Sequence, residues 1–222
     1  MLAFLRNEDM RYFLTFLLLL PGMTAMAAEP APPATSSASI IVAGGCFWCV
    51  EASFEAVPGV KSAVSGYVAG QLDHPSYEEV CGGGTGHAEA VKITYDPRVV
   101  GLDPLLDLFF RVHDPTTVNR QGHDVGSQYR SVIVAADATQ KAAALAAIAR
   151  NQPRFTRPIV TEVLDQQTTG PARFHLAEEY HQDYFRLHPE QAYCAAVIPP
   201  KLEKVRKFLK EDLKHSGAAH AP

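Results

Sequence analysis

The sequence has little excess charge of either sign: 20 Lys and Arg stand against 24 Asp and Glu in 222 residues, a formal net charge of -4. Nucleic-acid binding needs a clustered basic surplus, so DNA or RNA is excluded as the principal partner. Cysteine is scarce as well, at four residues. A chain of this length buries a core without disulfide or metal staples, which leaves those thiols free to do chemistry. Zinc would want two close pairs or a Cys/His combination at ligand spacing, and only Cys46 and Cys49 are paired. Glu178-x-x-His181 occurs once where a di-iron bundle needs it twice, so His175 and His181 read as surface or capping residues. The glycine-rich stretch from Gly82 to Gly86 lacks the Gly-Lys-Ser/Thr ending of a phosphate loop. No metal and no cofactor is expected. The apolar run from Tyr12 to Leu20 is too short to span a bilayer comfortably, which takes about 20 residues, and no repeat period is visible.

That run follows Arg11, meets a Pro21-Gly22 breaker and ends at Ala25-Met26-Ala27, the layout of a secretory signal peptide over residues 1–27. A retained anchor is the alternative reading, and Met10 would serve equally as the start. No cysteine follows the cut to carry a lipid. Residues 28–38 are Pro, Ala and Ser with one charge, which cannot bury a core and read as a spacer. The expectation is an exported protein, in the bacterial periplasm, without stable membrane association after cleavage. Its single folded domain covers 39–214 and a short tail covers 215–222.

Residues 40–43 form an apolar run ending at Gly44-Gly45, and Phe47, Val50, Phe54 and Val57 then recur at helical spacing. Pro58-Gly59 stops that helix, residues 60–68 look extended, and Val91, Ile93 and Tyr95 alternate as a half-buried strand should. Asp103-Pro104 reads as a cap and first turn of a helix through Val112. Residues 130–135 form a strand, Asp137 caps an alanine-rich helix to about Arg150, and 159–164 form a further strand. Helices are expected near 174–187 and 201–214. The first six elements read β-α-β-β-α-β, the order of a ferredoxin-like unit, followed by an α-β-α extension, hence one α+β domain with a mixed sheet. The long loops at 69–89 and 114–129 are rich in Gly, His, Asp and Tyr and are the first places to look for a site.

Gly44-Gly45-Cys46-Phe47-Trp48-Cys49 puts Cys46 where strand turns into helix, over unpaired N–H groups and the positive end of the helix dipole. That position favours thiolate, the nucleophilic form. The plainer alternative is a buried cysteine at a helix start. Phe47 and the only tryptophan, Trp48, are either core residues or the apolar wall of a pocket in front of the sulfur.

The chain resembles the peptide methionine sulfoxide reductase A (MsrA) family. Besides GCFWC, the resemblance rests on Tyr77-Glu78-Glu79-Val80-Cys81, Thr85-Gly86-His87-Ala88-Glu89-Ala90-Val91, Tyr95-Asp96-Pro97 and His113-Asp114-Pro115-Thr116. It continues through Gln121 to Arg130 (QGHDVGSQYR) and Ala177 to Tyr184 (AEEYHQDY), in family order across residues 40 to about 207. It implies thiol-dependent reduction of the S epimer of methionine sulfoxide, protein-bound or free. A sulfoxide oxygen leaves only if protonated or strongly hydrogen-bonded. The resemblance assigns that proton to Glu89, hydrogen bonds to the oxygen to Tyr77 and Tyr129, and substrate positioning through water to Asp124. Phe47 and Trp48 would accept the methyl group, Tyr184 would stand at the rim, and the glycine-rich connector would let His87 approach the substrate.

Attack leaves Cys46 as a sulfenic acid, which condenses with a second thiol. Cys194, on a segment expected to be flexible after Pro189, matches the family's recycling position and is preferred; Cys49, three residues along the same helix, is the alternative, and Cys81 reads as structural. No cysteine follows Cys194, so a relay through the tail is excluded. The implied partner is a thioredoxin-like reductant, and nothing calls for more than a monomer. Two other readings stay open at this level: a general thiol-disulfide oxidoreductase using Cys46 and Cys49, and an exported protein whose cysteines form two structural disulfides.

Overall fold

The computed structural model describes residues 37–166 and 173–211. The expected signal peptide, nearly all of the spacer and the tail lie outside the described residues. Among those described, no helix is long and apolar enough to cross a membrane.

The elements are β1 (Ala38–Gly44), α1 (Phe47–Glu55), β2 (Val60–Val68), α2 (Tyr77–Cys81), β3 (Ala88–Tyr95), α3 (Leu102–Val112), β4 (Arg120–Gln121), β5 (Asp124–Val125), β6 (Ser131–Ala135), α4 (Ala138–Asn151), β7 (Glu162–Asp165), β8 (His175–Leu176), α5 (Tyr184–Leu187) and α6 (Ala192–Glu211). Six strands form one sheet in the order β7-β6-β1-β3-β2-β8. All neighbours are antiparallel except β6 and β7, so the fold is α+β with a mixed sheet. β4 and β5 make a separate hairpin.

Alternation along β1 sends Ile40 and Val42 into the main core and Ile41 and Ala43 into a smaller cluster on the opposite face. The main core packs Val50 and Phe54 of α1, Leu105, Leu106 and Phe109 of α3, Ala144 and Ala147 of α4, and Val205 and Phe208 of α6 against the sheet. Each fully buried large side chain contributes roughly 1.5–3 kcal/mol of transfer free energy, so the sheet and these four helices are held as one block. The Asp137 carboxylate accepts from the Gln140 N–H at 2.8 Å, the expected cap of α4. α3 instead takes Gly101 as its N-cap, two residues before the expected one, and Asp103 pairs with Arg150 of α4 at 3.3 Å.

Two helical expectations are corrected. Residues 174–187 form β8, a single 3-10 turn at Glu179–His181 and the short α5. Tertiary hydrogen bonds override the local pattern here. The Gln182 side chain accepts from the Ser65 N–H at 3.0 Å and donates to the Ser65 and Ala177 carbonyls at 3.1 Å each, while Asp183 sits at φ +53. The last helix begins at Ala192 rather than 201 and runs through Pro199 and Pro200. Prolines in a helix interior remove backbone hydrogen bonds, but Cys194, Ile198, Val205 and Phe208 fall on one buried stripe, and packing of that stripe holds the helix across the interruption.

Candidate active site

β1 ends at Gly44, and Gly45 then adopts φ +96, where a Cβ would lie 2.5 Å from Gln121 Cγ. Only glycine turns the chain there without clash. Cys46 follows as the N-cap of α1, its carbonyl accepting from the Cys49 N–H at 3.1 Å and the Val50 N–H at 3.3 Å. The next amide, Phe47 N–H, donates to Glu89 Oε2 at 3.0 Å. The first turn of α1 thus presents both the thiol and a donor to a carboxyl from β3. Glu89 is 2% exposed. Burial pushes its pKa up to about 8 against the opposing Phe47 hydrogen bond, with the Asp124 charge adding to the rise. At neutral pH it is a protonated acid next to the thiol.

A pocket of about 190 Å³ opens in front of Cys46 and is lined by Phe47, Trp48, Tyr77, Glu89, Asp124, Tyr129 and Tyr193. Tyr77 opens α2, fixed by a Ser76–Glu79 capping box. Its N–H donates to Glu178 Oε1 at 2.8 Å, while Glu178 Oε2 accepts from the Tyr67 hydroxyl at 2.8 Å. Tyr129 ends the 3-10 turn after β5, the strand that carries Asp124. Burial raises the pKa of Tyr77 and of Tyr129, so both phenols remain hydrogen-bond donors. Trp48 stacks on Tyr184 with ring centroids 3.8 Å apart and planes at 6°. This constellation can hold a small apolar group against Phe47 and Trp48 while offering one acid and two phenols to an oxygen beside the sulfur.

The sequence places Cys46 correctly but misjudges its ionisation. Burial, a hydrogen bond with Cys49 and the neighbouring charges of Cys49 and Glu89 raise its pKa well above the usual thiol value. Desolvation outweighs the helix end. Cys49 moves the other way, lowered first by its hydrogen bond with Cys46 and then by the Lys201 charge and the Tyr193 hydroxyl, which lies 3.9 Å from its sulfur. All four cysteines are free thiols, which is not the state of a protein stapled by two disulfides.

Cys194 is not on a flexible segment: it lies in the first turn of α6, fully buried, in one cluster with Cys46, Cys49 and Ile198. Burial raises its pKa, and the Cys49 charge adds to the rise. Cys81 is exposed at the end of α2. His87 is not brought to the pocket. Its buried ring bonds the Leu72 carbonyl at 2.8 Å and fills the space beside Gly70, anchoring the 69–89 loop. His181 is no surface residue either: it is 2% exposed, with its ring 4.9 Å from Phe47 and 4.4 Å from Tyr77.

Three residues that sequence reasoning passed over belong here. The Tyr193 hydroxyl donates to Asp124 Oδ2 at 2.7 Å and lines the pocket. Glu178 ties Tyr77 to Tyr67, and Lys201 donates to the Val112 carbonyl at 2.6 Å within reach of Cys49. Their adjacency to Cys194 and to the AEEYHQDY block was the available signal. Of groups that could hold a cation among the described residues, Glu51, Glu55 and Asp183 bring carboxylate oxygens within 4.8 Å of one another. Glu51 there already accepts from the Ser65 hydroxyl and the Asp183 N–H.

The model of the family described as Peptide methionine sulfoxide reductase matches residues 38–213. Among curated relatives, a peptide methionine sulfoxide reductase MsrA of Ralstonia nicotianae is 52% identical over 75% of this chain and 88% of its own length. One of Pseudarthrobacter chlorophenolicus is 48% identical over 77% of this chain and 95% of its own. Among solved structures, methionine sulfoxide reductase A of Corynebacterium diphtheriae superposes with a TM-score of 0.68 at 32% identity, over 75% of this chain and 85% of that one. Reduced Mxr1 of Saccharomyces cerevisiae gives 0.65 at 35% identity, over 72% and 90% of the two chains.

Proposed function

Because the chain belongs to the peptide methionine sulfoxide reductase family, we propose that it reduces the S epimer of methionine sulfoxide, protein-bound or free, to methionine. The observation that carries this reading is the buried Glu89 acid, its pKa pushed up to about 8, sharing one pocket with Cys46 and two protonated phenols. The substrate methyl group packs on Phe47 and Trp48, with Tyr184 behind the indole. The sulfoxide oxygen takes hydrogen bonds from Tyr77 and Tyr129 and a proton from Glu89. Asp124, steadied by Tyr193, positions the substrate through water.

Cys46 sulfur attacks the sulfoxide sulfur and the oxygen ends on Cys46, giving methionine and a sulfenic acid; the thiol proton of Cys46 returns the acid to Glu89. A second thiol then attacks the sulfenic acid, and a disulfide forms as water leaves. Cys194 carries the disulfide to a dithiol reductant of the thioredoxin type. The strand order β6-β1-β3-β2 supports a ferredoxin-like core for this site. The apolar run and small-residue cut before residue 28 support export to the periplasm and repair of oxidised exported proteins by a monomeric enzyme. An oxidising compartment lacks cytosolic thioredoxin, so a membrane-linked thioredoxin-like relay is the electron source.

Dithiothreitol-driven consumption of separate S and R epimers of a methionine sulfoxide peptide by residues 28–222, beside Cys46→Ser, tests the proposal. Loss of the S epimer alone, abolished by the substitution, is expected. If folded, reduced protein consumes neither epimer, the reaction assignment fails and thiol-disulfide exchange at Cys46 and Cys49 takes its place.

A further inference from the structure

Cys46 faces two cavities, of which the substrate reading uses one. The second, of about 140 Å³, is lined by Cys46 together with Cys49, His123, Asp124, Tyr193 and Lys201. Lys201 reaches it from the middle of α6, with its Nζ fixed by donation to the Val112 carbonyl at 2.6 Å. That carbonyl belongs to the last turn of α3, where a cation is favoured by the helix dipole. Among the described residues no carboxylate lies within ion-pair distance of an ammonium held there, and the sulfurs it shares the cavity with are those of Cys46 and Cys49. The Tyr193 hydroxyl, from the first turn of α6, lies 3.9 Å from the Cys49 sulfur.

We infer that Lys201 is a positioning residue of the second half-reaction, its anchored ammonium holding Cys49 in the form that attacks oxidised Cys46. The inference rests on the proposed reductase reading. Once Cys46 is a sulfenic acid, the Cys49 sulfur attacks the Cys46 sulfur. The S–S bond forms as the S–O bond breaks, and the departing hydroxide leaves as water with the proton Cys49 gave up. Cys49 is oxidised and Cys46 reduced to the common disulfide level. Cys194, packed in the same cluster, then takes over the bond to Cys49 by thiol exchange, which releases Cys46 as a thiol. The other charged or titratable groups facing Lys201 and Cys49 among the described residues include Asp124 and His123 from the β4–β5 hairpin, Tyr193 and Lys204 from α6, Arg111, His113 and Asp114 at the end of α3 and just after it, and Cys46. The cation opposes the Asp124 charge, which alone would disfavour a thiolate at Cys49.

The test follows Cys46 sulfenic acid in reduced protein given a stoichiometric S-sulfoxide pulse without external thiol. A cyclic 1,3-dione traps the acid and intact mass reads it, between pH 6 and 9.5. Methionine released in the pulse by the unsubstituted protein reports the first half-reaction; its absence defeats the reductase reading rather than this one. Lys201→Met should slow sulfenic acid decay at pH 7 by roughly threefold to tenfold, since losing a nearby charge costs thiolate while raising its nucleophilicity. The alkaline limb should move upward so that the rate recovers at high pH, and Lys201→Arg should restore most of it. Cys49→Ser should leave the sulfenic acid long-lived. A Lys201→Met protein with the unsubstituted pH profile overturns the inference, as does loss of its methionine pulse. So does a Cys49→Ser protein whose sulfenic acid decays at the normal rate through Cys194. Should Lys201→Met lose its fold, Lys201→Arg and Cys49→Ser decide.

Discussion

Replacing Glu89 by Gln separates the acid role from the folding cost of the same carboxyl. In the folded protein Glu89 is raised from an ordinary value of 4.5 to about 8 by burial. A carboxyl whose folded pKa lies above its unfolded value binds more protons in the native state. Stability is therefore full below pH 4.5 and falls as pH rises toward 8. At 1.36 kcal/mol for each pH unit, the cost is about 1 kcal/mol at pH 5, about 3 kcal/mol at pH 7 and about 4 kcal/mol at pH 8. Gln keeps an oxygen for the Phe47 N–H and carries no charge to desolvate. Glu89→Gln should thus be more stable than the parent by a margin that grows by about 3 kcal/mol between pH 5 and pH 8, on the order of 10 °C in Tm for a domain of this size. The same variant should lose roughly 100-fold to 10,000-fold in the methionine-forming step, the usual worth of a positioned general acid. Thermal melts of both proteins under reducing conditions at the two pH values, with single-turnover rates at pH 7, give both numbers. A stability difference independent of pH would refute the buried-acid argument, and an undiminished single-turnover rate would refute its catalytic use. In the parent, the methionine-forming rate should decline above about pH 8 as Glu89 ionises.

Trp48→Ala removes both the pocket wall and the ring that Tyr184 stacks on at 3.8 Å; KM should rise roughly tenfold with a smaller change in kcat, since an apolar contact of this kind is worth about 1–3 kcal/mol. Glu178→Gln leaves one acceptor where Tyr67 and the Tyr77 N–H need two. Denaturant midpoints should show a loss of about 1–3 kcal/mol, and the methionine-forming rate should fall as Tyr77 loosens. Cys194→Ser should release one methionine per protein at the normal rate yet turn over poorly with a thioredoxin-type reductant, and normal turnover would move the exit of the disulfide to Cys49.

The strands and the helices on the main core were legible because each carries one uninterrupted period: Ile40 and Val42 against Ile41 and Ala43, or Phe47, Val50 and Phe54. The Gly45 turn and the Asp137 cap were legible because one residue type satisfies one local demand. What failed to show was held by distant partners. The 174–187 segment looks helical until Gln182 finds Ser65, and α6 looks broken at Pro199-Pro200 until Cys194 and Ile198 are buried on its stripe. The site divides the same way. Cys46, Glu89, Tyr77, Tyr129 and Asp124 sit in short motifs and meet in one pocket. Tyr193 and Lys201 meet residues about 70 to 150 positions away, Asp124 and Cys49, and nothing in the sequence beyond their nearness to Cys194 marks them.

The sign of the Cys46 shift bears on selectivity. A thiolate at a helix end would react with any alkylating agent or peroxide that reached it. Here burial keeps Cys46 a thiol and Glu89 an acid, so the site holds two protons rather than a thiolate. The sulfoxide proposed as substrate answers both conditions. Its oxygen offers a strong acceptor for the proton of Glu89, and as that proton moves the carboxylate left behind becomes the base for the thiol next to it. Nucleophile and leaving-group activation then arise together, only when an S–O bond lies between them. Cys49, shifted the opposite way first by its hydrogen bond with Cys46, lines the neighbouring cavity rather than the pocket of Glu89. On the proposed mechanism the two halves of the reaction then fall to different thiols: Cys46 answers the substrate, and Cys49 answers oxidised Cys46.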